Sequence, residues 1–572
     1  MPQTPPLPEI LQNRAALEPD HRAYVFLDEH GREKSVLTYG DLHSRALTVA
    51  GRLSRHCRPG DRALLLFPPG LDFIVAYFAC LYAHVVAVPV SAPRANRVQE
   101  AMRSIIGDCR PTAVLTDSTM LETLKPALEP FCGSAHWLLA DHLQSSVDAD
   151  FQPTPCSPDS LAFLQYTSGS TAAPKGVMVS HRNLSANQEM IQHAFGHDRH
   201  STFVGWTPLY HDQGLIGNVL QPLYLGVTSV LMAPAAFIRR PLSWLSAISR
   251  YRAHTSGGPN FAFDACVAHA ARGGVPDLDL SCWKVAFNGA EPIRHETLRR
   301  FAETFSSVGF SEKALYPCYG SAEVTLLATG SRKGRGPRTV EADAEALGRR
   351  RFAEAPAGRG HTLVGSGLLP PTGELRIVDP DTGHPCPPDR IGEIWISGDH
   401  VTTGYWQRPE LSAETFQARC EGSNTALTYL RTGDLGVVID GELYVVGRLK
   451  DMIIIRGRNH YPHDIEHTAQ SAHPALRPTA CAAFSIPGPD GEKLVVVQEI
   501  HRERAEDAAT DIAASIRQAI VREHDLSAAD VVLTTHGQLQ KTSSGKIMRS
   551  AAKKRYLESS FEPWTPATPS GV

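Results

Sequence analysis

Between Leu161 and Asn183 the chain reads LAFLQYTSGSTAAPKGVMVSHRN, an apolar run that stops abruptly at a loop of hydroxyls, glycine and one lysine. Leu161 to Tyr166 is short, apolar and bounded by turn residues, which suits a buried strand, although periodicity alone does not separate so short a run from a helix segment. Thr167, Ser168, Ser170 and Thr171 place four hydroxyls around Gly169, where backbone N–H groups can approach an anion closely. Pro174 stiffens the loop ahead of Lys175, whose ammonium can serve as a mobile point charge on a polyphosphate, and Gly176 to Val179 returns to strand. A polar surface turn has the same residue types; the apolar flanks favour a phosphate cradle. The loop of ordinary nucleotide triphosphatases needs Gly-Lys followed directly by Ser or Thr, and here Gly176 follows Lys175, so this is a phosphate loop of another kind. A helix beginning at Ser180 to Asn183 is expected to turn its positive end toward the same anion.

A chain of 572 residues exceeds the size at which one core stops growing, so two or more domains are expected. Lys plus Arg at 56 against Asp plus Glu at 60 leaves a formal charge of −4, with no basic excess to attract nucleic acid or an anionic membrane. Eleven cysteines without a CxxC pair argue against a disulfide framework or zinc site and fit a reducing cytoplasm. The start, MPQTPPLPEI, has neither a basic head nor an apolar core and does not read as a secretory leader. The most membrane-like run, Phe73 to Val90, is interrupted by His84 and Pro89 and reads as a buried helix to about Tyr82 followed by a core strand Val85 to Val90. Strand candidates Ala63 to Phe67 and Ala113 to Thr116 alternate with helical patterns such as Tyr39 to Leu53, which predicts an α/β fold with largely parallel sheets.

The string YTSGSTAAPKGVMVSH resembles the signature loop of adenylate-forming enzymes: acyl-CoA synthetases, luciferases and peptide-synthetase adenylation domains. Further along, FVGWTPLYHDQGLIG is similar to a segment of the fatty acyl-AMP ligases within that family, with Gln213 where methionine is common; Tyr210 and His211 would then border the acyl carboxylate. From the residues alone His211 reads equally as a structural, hydrogen-bonded imidazole. SGGPNFAFD resembles the ligases' acyl-tunnel segment, assigning Gly257, Gly258, Pro259 and Phe261 to substrate and using Phe261 and Phe263 as an apolar wall. VAFNGAEP gives a strand ending in Asn288 and Gly289, suited to a flat heterocycle, and the resemblance implies that Asn288, Gly289, Ala290 and Glu291 meet adenine. YPCYGSAEVTL matches the family's YGxAE motif, which places Tyr319, Gly320 and Ser321 at the nucleotide and makes Glu323, with Thr171, the expected Mg²⁺ contact. A hard cation held by one carboxylate plus substrate phosphates is chemically sufficient, though a Glu at a helix start is commonly a cap.

Arg332, Lys333, Arg335, Arg338, Arg349, Arg350, Arg351 and Arg359 crowd the interval 330–365, which is either a long solvated loop or the insertion by which fatty acyl-AMP ligases differ from acyl-CoA synthetases. GEIWISG alternates as a sheet strand, and RTGDLG presents Asp434 on a glycine-flanked turn; the resemblance assigns Asp434 and Arg448 to ribose. LQKTSSGKIMR carries Lys546 in an exposed turn, and in the family this lysine reaches phosphate and acyl oxygens.

The implied architecture is the adenylate-forming fold: a large α/β N-terminal domain of parallel and mixed sheets flanked by helices plus a small β-region (1–447, with 330–365 inserted), a hinge at 448–452 about Lys450, a smaller mobile C-terminal α+β domain (453–560) and a loose tail (561–572). The resemblance implies ATP and Mg²⁺ as cofactors, with Lys546, His211, Lys175 and Glu323 as the catalytic set. It implies a fatty acid as substrate and a phosphopantetheinylated acyl carrier protein as acceptor, without nucleic acid or membrane span. An acyl-CoA synthetase and a catalytically silent acyl-adenylate-binding protein are the alternatives.

Overall fold

The computed structural model describes residues 5–93, 98–141, 151–167, 174–368, 373–422, 426–488, 491–501, 508–542 and 545–564. The loop residues Ser168, Gly169, Ser170 and Thr171 lie outside them. Within them the chain forms a six-stranded sheet, a 14-stranded sheet, a three-stranded sheet and a two-stranded hairpin. Helices pack on the sheets. Tyr39–His56 starts at a capping box in which Asp41 N–H donates to Thr38 Oγ1 at 3.1 Å and Thr38 N–H to Asp41 Oδ2 at 3.2 Å. The apolar run resolves into a helix Asp72–Tyr82, buried on every side, and a core strand Val86–Pro89. Among the described residues no helix is long and apolar enough to cross a membrane.

In the six-stranded sheet Arg62–Leu65, Val86–Pro89, Ala113–Thr116 and His136–Leu139 pair in parallel. Leu161–Thr167 adds beside Val86–Pro89 and turns back antiparallel as Lys175–Ser180, with Thr167 opposite Lys175 and Leu161 opposite Ser180. This register corrects the expectation for the helix His181–Phe195. Its N-cap Ser180 lies at the far end of the hairpin from Lys175, a strand length of about 17 Å at ~3.4 Å per residue, beyond the reach of a terminal dipole effect.

In the large sheet Phe203–Gly205, Thr255–Gly257, Val285–Asn288 and Leu315–Tyr319 run parallel side by side, so Trp206, Gly258, Gly289 and Gly320 fall on one edge, at the carboxyl ends of the strands. Antiparallel Leu430–Ile439 and Glu442–Arg448 extend the sheet and set Asp434 opposite Arg448. Asp434 therefore sits within a strand rather than on a turn. Gly392–Ser397 is buried along its whole length instead of alternating, because both of its faces are covered.

The interval 330–365 is structured. Thr339–Ala342 pairs with His361–Leu368 around the helix Ala344–Gly348. Four of its arginines meet carboxylates: Arg338 reaches Asp440 and Glu442 at 3.4 Å, Arg350 reaches Asp381 at 3.8 Å, and Arg349 and Arg351 pair with Glu345 and Asp389. It touches the C-terminal part of the chain, where Asn459 Nδ2 donates to Gly348 O at 2.8 Å and His361 stands 3.6 Å from Asp464.

After one 3₁₀ turn at Leu449–Asp451, a sheet of Leu476–Gly488, Gly491–Ile500 and Ala528–Thr534 packs on helices Pro462–Ser471 and Ala509–His524, with Ile465, Ile512, Ile516 and Ile520 in its core. Tyr461 inserts among Leu435, Val437, Tyr444 and Val446 of the large sheet. Gly447 permits this approach, since a Cβ there would meet Tyr461 Cδ1 at 2.7 Å. Residues 561–564, expected to belong to a loose tail, reach the small sheet: Trp564 is buried and its backbone N–H donates to Leu533 O at 2.9 Å.

Candidate active site

Strand ends and two crossing loops assemble the site. The loop bearing Tyr210 and His211 is tethered to the strand Leu161–Thr167 by Gln165, whose Nε2 donates to Tyr210 O at 3.1 Å. Directly after it the chain enters a π-helix, Gln213–Leu220, with Asp212 Oδ1 accepting Gln213 N–H at 2.7 Å. A π-helix accommodates an extra residue per turn and commonly marks a functional position. Asn260 fastens the neighbouring segments together: its N–H donates to Glu291 Oε1 at 2.9 Å, its Nδ2 to Pro292 O at 2.8 Å, and its Oδ1 accepts Arg294 N–H at 3.2 Å. Gly258 lies so close to Trp206 that a Cβ would meet Cζ2 at 2.7 Å. Phe261 meets the same indole edge-on with ring centroids 5.8 Å apart. Phe263 does not line this wall. Two residues further round the helix Asn260–Gly273, it points into the core against Trp244 and Trp283.

At the end of Val285–Asn288, Asn288 is fully buried; its Nδ2 donates to Gly258 O at 3.3 Å while its Oδ1 has no partner among the described residues. Ala290 follows at φ +70°, a left-handed conformation that costs energy for a residue with a side chain. Tyr319 donates its hydroxyl to Asp434 Oδ2 at 2.7 Å, and Arg448 Nε donates to Asp434 Oδ1 at 3.0 Å. Burial and the Asp434 carboxylate hold the Tyr319 phenol above its ordinary range, so it remains a neutral donor. Asp434 and, more weakly, Glu323 raise the Arg448 guanidinium.

Lys546 enters this set from the small domain. Its side chain keeps surface open to solvent, yet crowding by protein lowers the ammonium below its usual range; Arg448 acts in the same direction and Glu291, Asp212 and Asp434 oppose it. Burial likewise holds the His211 imidazole low, with Asp212 opposing and Lys546 adding to the shift. Burial raises the Glu291 carboxyl, against Arg294 and Lys546. Tyr319, Asp434 and Arg448 are hydrogen-bonded together, with Asn288, Gly289, Ala290, Gly320 and Ser321 along the same edge, and Lys546 acts electrostatically on His211 and Glu291.

Lys175 and Glu323 lie on either side of one tyrosine. Burial and Lys450 lower the Lys175 ammonium, and Glu323 raises it. Tyr405, which no motif above includes, joins the two: Lys175 Nζ lies 4.9 Å from its ring centroid and its hydroxyl donates to Glu323 Oε1 at 3.0 Å. Among the described residues no group of three His, Cys, Asp or Glu side chains could hold a metal by itself. The Glu323 carboxylate offers one hard oxygen, which would fit Mg²⁺ if substrate oxygens and water completed its coordination.

The AMP-binding enzyme profile matches residues 11–406, and a profile described as Disco-interacting protein 2-like, AMP domain, matches 450–563. The chain is 40% identical to the medium-chain-fatty-acid–[acyl-carrier-protein] ligase JamA of Moorena producens over 98% of this chain and 97% of that one. It is 37% identical to the long-chain-fatty-acid–AMP ligase FadD26 of Mycobacterium marinum, covering 97% of this chain and 98% of that protein. The crystal structure of a fatty acyl-adenylate ligase from L. pneumophila, in complex with acyl adenylate and pyrophosphate, superposes with a TM-score of 0.76 at 37% identity, covering 97% and 96% of the two chains. The chain belongs to the AMP-binding enzyme family, and within it to the fatty acyl-AMP ligases.

Proposed function

We propose that the protein activates a fatty acid with ATP and passes the acyl group to the phosphopantetheine thiol of an acyl carrier protein rather than to CoA. What supports this reading is the hydrogen-bonded set Tyr319, Asp434 and Arg448 at one sheet edge, with the exposed Lys546 near enough for Arg448, Glu291, Asp212 and Asp434 to act on its ammonium. Such an arrangement suits a reaction that joins two anions. A carboxylate is repelled by triphosphate, so positive charge and alignment supply most of the rate. A carboxylate oxygen attacks the α-phosphorus, the bond to the bridging oxygen of the β-phosphate breaks, and pyrophosphate leaves with that electron pair. Lys546 neutralises charge at the α-phosphate and the attacking carboxylate. Ser170, Thr171 and Lys175 hold the β- and γ-phosphates, with Thr167, Ser168 and Gly169 completing the loop.

Asn288 to Glu291 and Tyr319 to Ser321 take adenine, for which the unpartnered Asn288 Oδ1 is an acceptor suited to an exocyclic amine. Asp434 and Arg448 take ribose. Tyr210, His211, Gly257, Gly258, Pro259 and Phe261 receive the acyl group; the low imidazole keeps His211 neutral beside the carboxylate. Glu323 and Thr171 would hold Mg²⁺, which supplies charge neutralisation on the leaving pyrophosphate. Large domain 1–447 and small domain 453–560 then reorient about 448–452, and a thiolate sulfur attacks the acyl carbon, releasing AMP. The eleven unpaired cysteines suit a reducing cytoplasm as the setting.

The test incubates the full chain with ATP, Mg²⁺ and a ladder of fatty acids, then adds CoA or phosphopantetheinylated carrier proteins. Acyl-AMP that persists with CoA and passes to a carrier is expected. Rapid acyl-CoA formation would make the protein an acyl-CoA synthetase, and absence of any adenylate would overturn the reading.

A further inference from the structure

The segment 402–406 touches both halves of the phosphate end of the site. On one side it pairs with the strand that begins at Lys175: Met178 N–H donates to Gly404 O at 3.0 Å, Trp406 N–H donates to Gly176 O at 2.7 Å, and Tyr405 lies opposite Val177. On the other side Thr402 donates from N–H at 2.9 Å and from Oγ1 at 3.1 Å to the backbone oxygen of Glu323. Tyr405 stands between them, 6% exposed, held edge-on by Phe416 at 5.1 Å and by its own N–H donating to Ser412 Oγ at 2.9 Å. Its ring faces the Lys175 ammonium and its hydroxyl occupies one oxygen of Glu323.

Lys175 and Glu323 carry opposite charges, and Glu323 raises the Lys175 ammonium against the effect of its burial. Among the described residues no ion pair joins them. Left to meet, they would neutralise one another, and an incoming polyphosphate would have to break that pair before using the lysine, with the carboxylate equally lost to a metal ion. The phenol prevents this while satisfying both charges weakly, through the negative face of the ring for the ammonium and one hydroxyl donor for the carboxylate. We propose that Tyr405 is a positioning residue, a spacer that keeps Lys175 and Glu323 apart and poised for metal-bound triphosphate. Burial and the adjacent Glu323 carboxylate hold the phenol above its ordinary range, which keeps it a neutral donor at every physiological pH. The inference rests on the reading of Lys175 as a phosphate ligand and of Glu323 as a metal ligand.

The experiment compares the full-length wild type with Tyr405→Phe and Tyr405→Ala by calorimetry, using two probes. One is MgATP without fatty acid; the other is an acyl sulfamoyl-adenosine, which fills the adenine, ribose and acyl sites but lacks β- and γ-phosphates. Tyr405→Ala is expected to weaken MgATP binding at least tenfold and leave the adenylate mimic within twofold. Tyr405→Phe, which keeps the ring between the charges, should lose less than threefold for either probe. Equal loss for both probes in Tyr405→Ala would reduce the residue to a structural part and overturn the proposal. So would MgATP binding within twofold of wild type, or a Phe variant as impaired as the Ala one. Should Tyr405→Ala not yield folded protein, Tyr405→Leu, too short to reach both charges, carries the same comparison. Failure of the acyl-adenylation reading is separable: the wild type would then ignore the adenylate mimic while the MgATP comparison still reads the spacer.

Discussion

Arg549 donates from Nη1 to Asp451 at 2.8 Å, joining the motif that carries Lys546 to the first residue after Lys450 in the hinge turn. Its Nε and Nη2 hold both oxygens of Glu466 at 2.7 Å, so one guanidinium fixes hinge, helix Pro462–Ser471 and the Lys546 loop in a single geometry. Arg549→Ala is expected to slow single-turnover adenylation by about tenfold or more with the KM for ATP within about threefold, because Lys546 would be presented in many orientations instead of one. It should also cost the small domain roughly 3 kcal/mol, since Asp451 and Glu466 are left partly buried without their cation. Arg549→Lys, a single point charge in place of a fork, should fall between. Rapid-quench kinetics with thermal melts decide this, and an alanine variant with wild-type turnover would show that the hinge does not orient Lys546.

In the proposed mechanism Lys546 acts at the transition state. Lys546→Ala is expected to lower the single-turnover rate of acyl-AMP formation by on the order of a hundredfold while changing ATP affinity little. Unchanged single-turnover adenylation would remove Lys546 from the chemistry and leave it as one more exposed lysine.

Asp434 receives Tyr319 and Arg448 on different oxygens, which sets the carboxylate in one rotamer with lone pairs left for hydroxyls. Asp434→Asn preserves the shape and removes the charge that anchors Arg448; steady-state pyrophosphate release should show the KM for ATP rising about tenfold. Tyr319→Phe loses one hydrogen bond and keeps the aromatic face, so a rise of about two- to threefold is expected. A larger effect from Tyr319→Phe than from Asp434→Asn would reverse this order of importance.

Much of this site is legible in the chain because its parts are local strings. Asn288 and Tyr319 announce themselves at strand ends, while the loop of hydroxyls and glycine from Ser168 to Ala173 lies outside the described residues. What the sequence hides depends on distances that only pairing reveals. Ser180 looks adjacent to the phosphate loop until the hairpin register carries it to the other end. Asp434 looks like a turn residue because of Gly433, but its strand continues through the glycine to pair with Glu442–Arg448. The arginines of 330–365 look solvated because their partners, Asp389, Asp440 and Glu442, lie far along the chain. Tyr405 carries no signal at all: it lies 82 residues from Glu323 in sequence, inside a stretch with no glycine-rich loop or titratable cluster. The π-helix at Gln213–Leu220 reads as an ordinary apolar helix, since its extra residue per turn leaves no compositional mark.

Two buried histidines give the molecule an acid-sensitive stability. His181 is 3% exposed and His400 is 1% exposed, and burial brings each imidazole down to about 4, with His84 adding to the shift at His181 and Asp399 opposing it at His400. Each is therefore neutral in the folded chain. The unfolded chain binds a proton near pH 6.5 that the folded chain refuses until about pH 4, so the stabilisation is complete above pH 6.5 and is lost as the pH falls through that window. The loss should reach on the order of 1–2 kcal/mol per histidine by pH 5. Urea unfolding at a series of pH values reads it: the midpoint should hold steady from pH 8 to pH 7 and then fall steadily. His400→Gln, which cannot take up a proton in either state, should flatten that slope by its own share even if it lowers the plateau. A midpoint unchanged between pH 7 and pH 5, or a slope untouched by the substitution, would mean that water reaches these imidazoles in the folded protein and that the protons they take up are shared equally by both states.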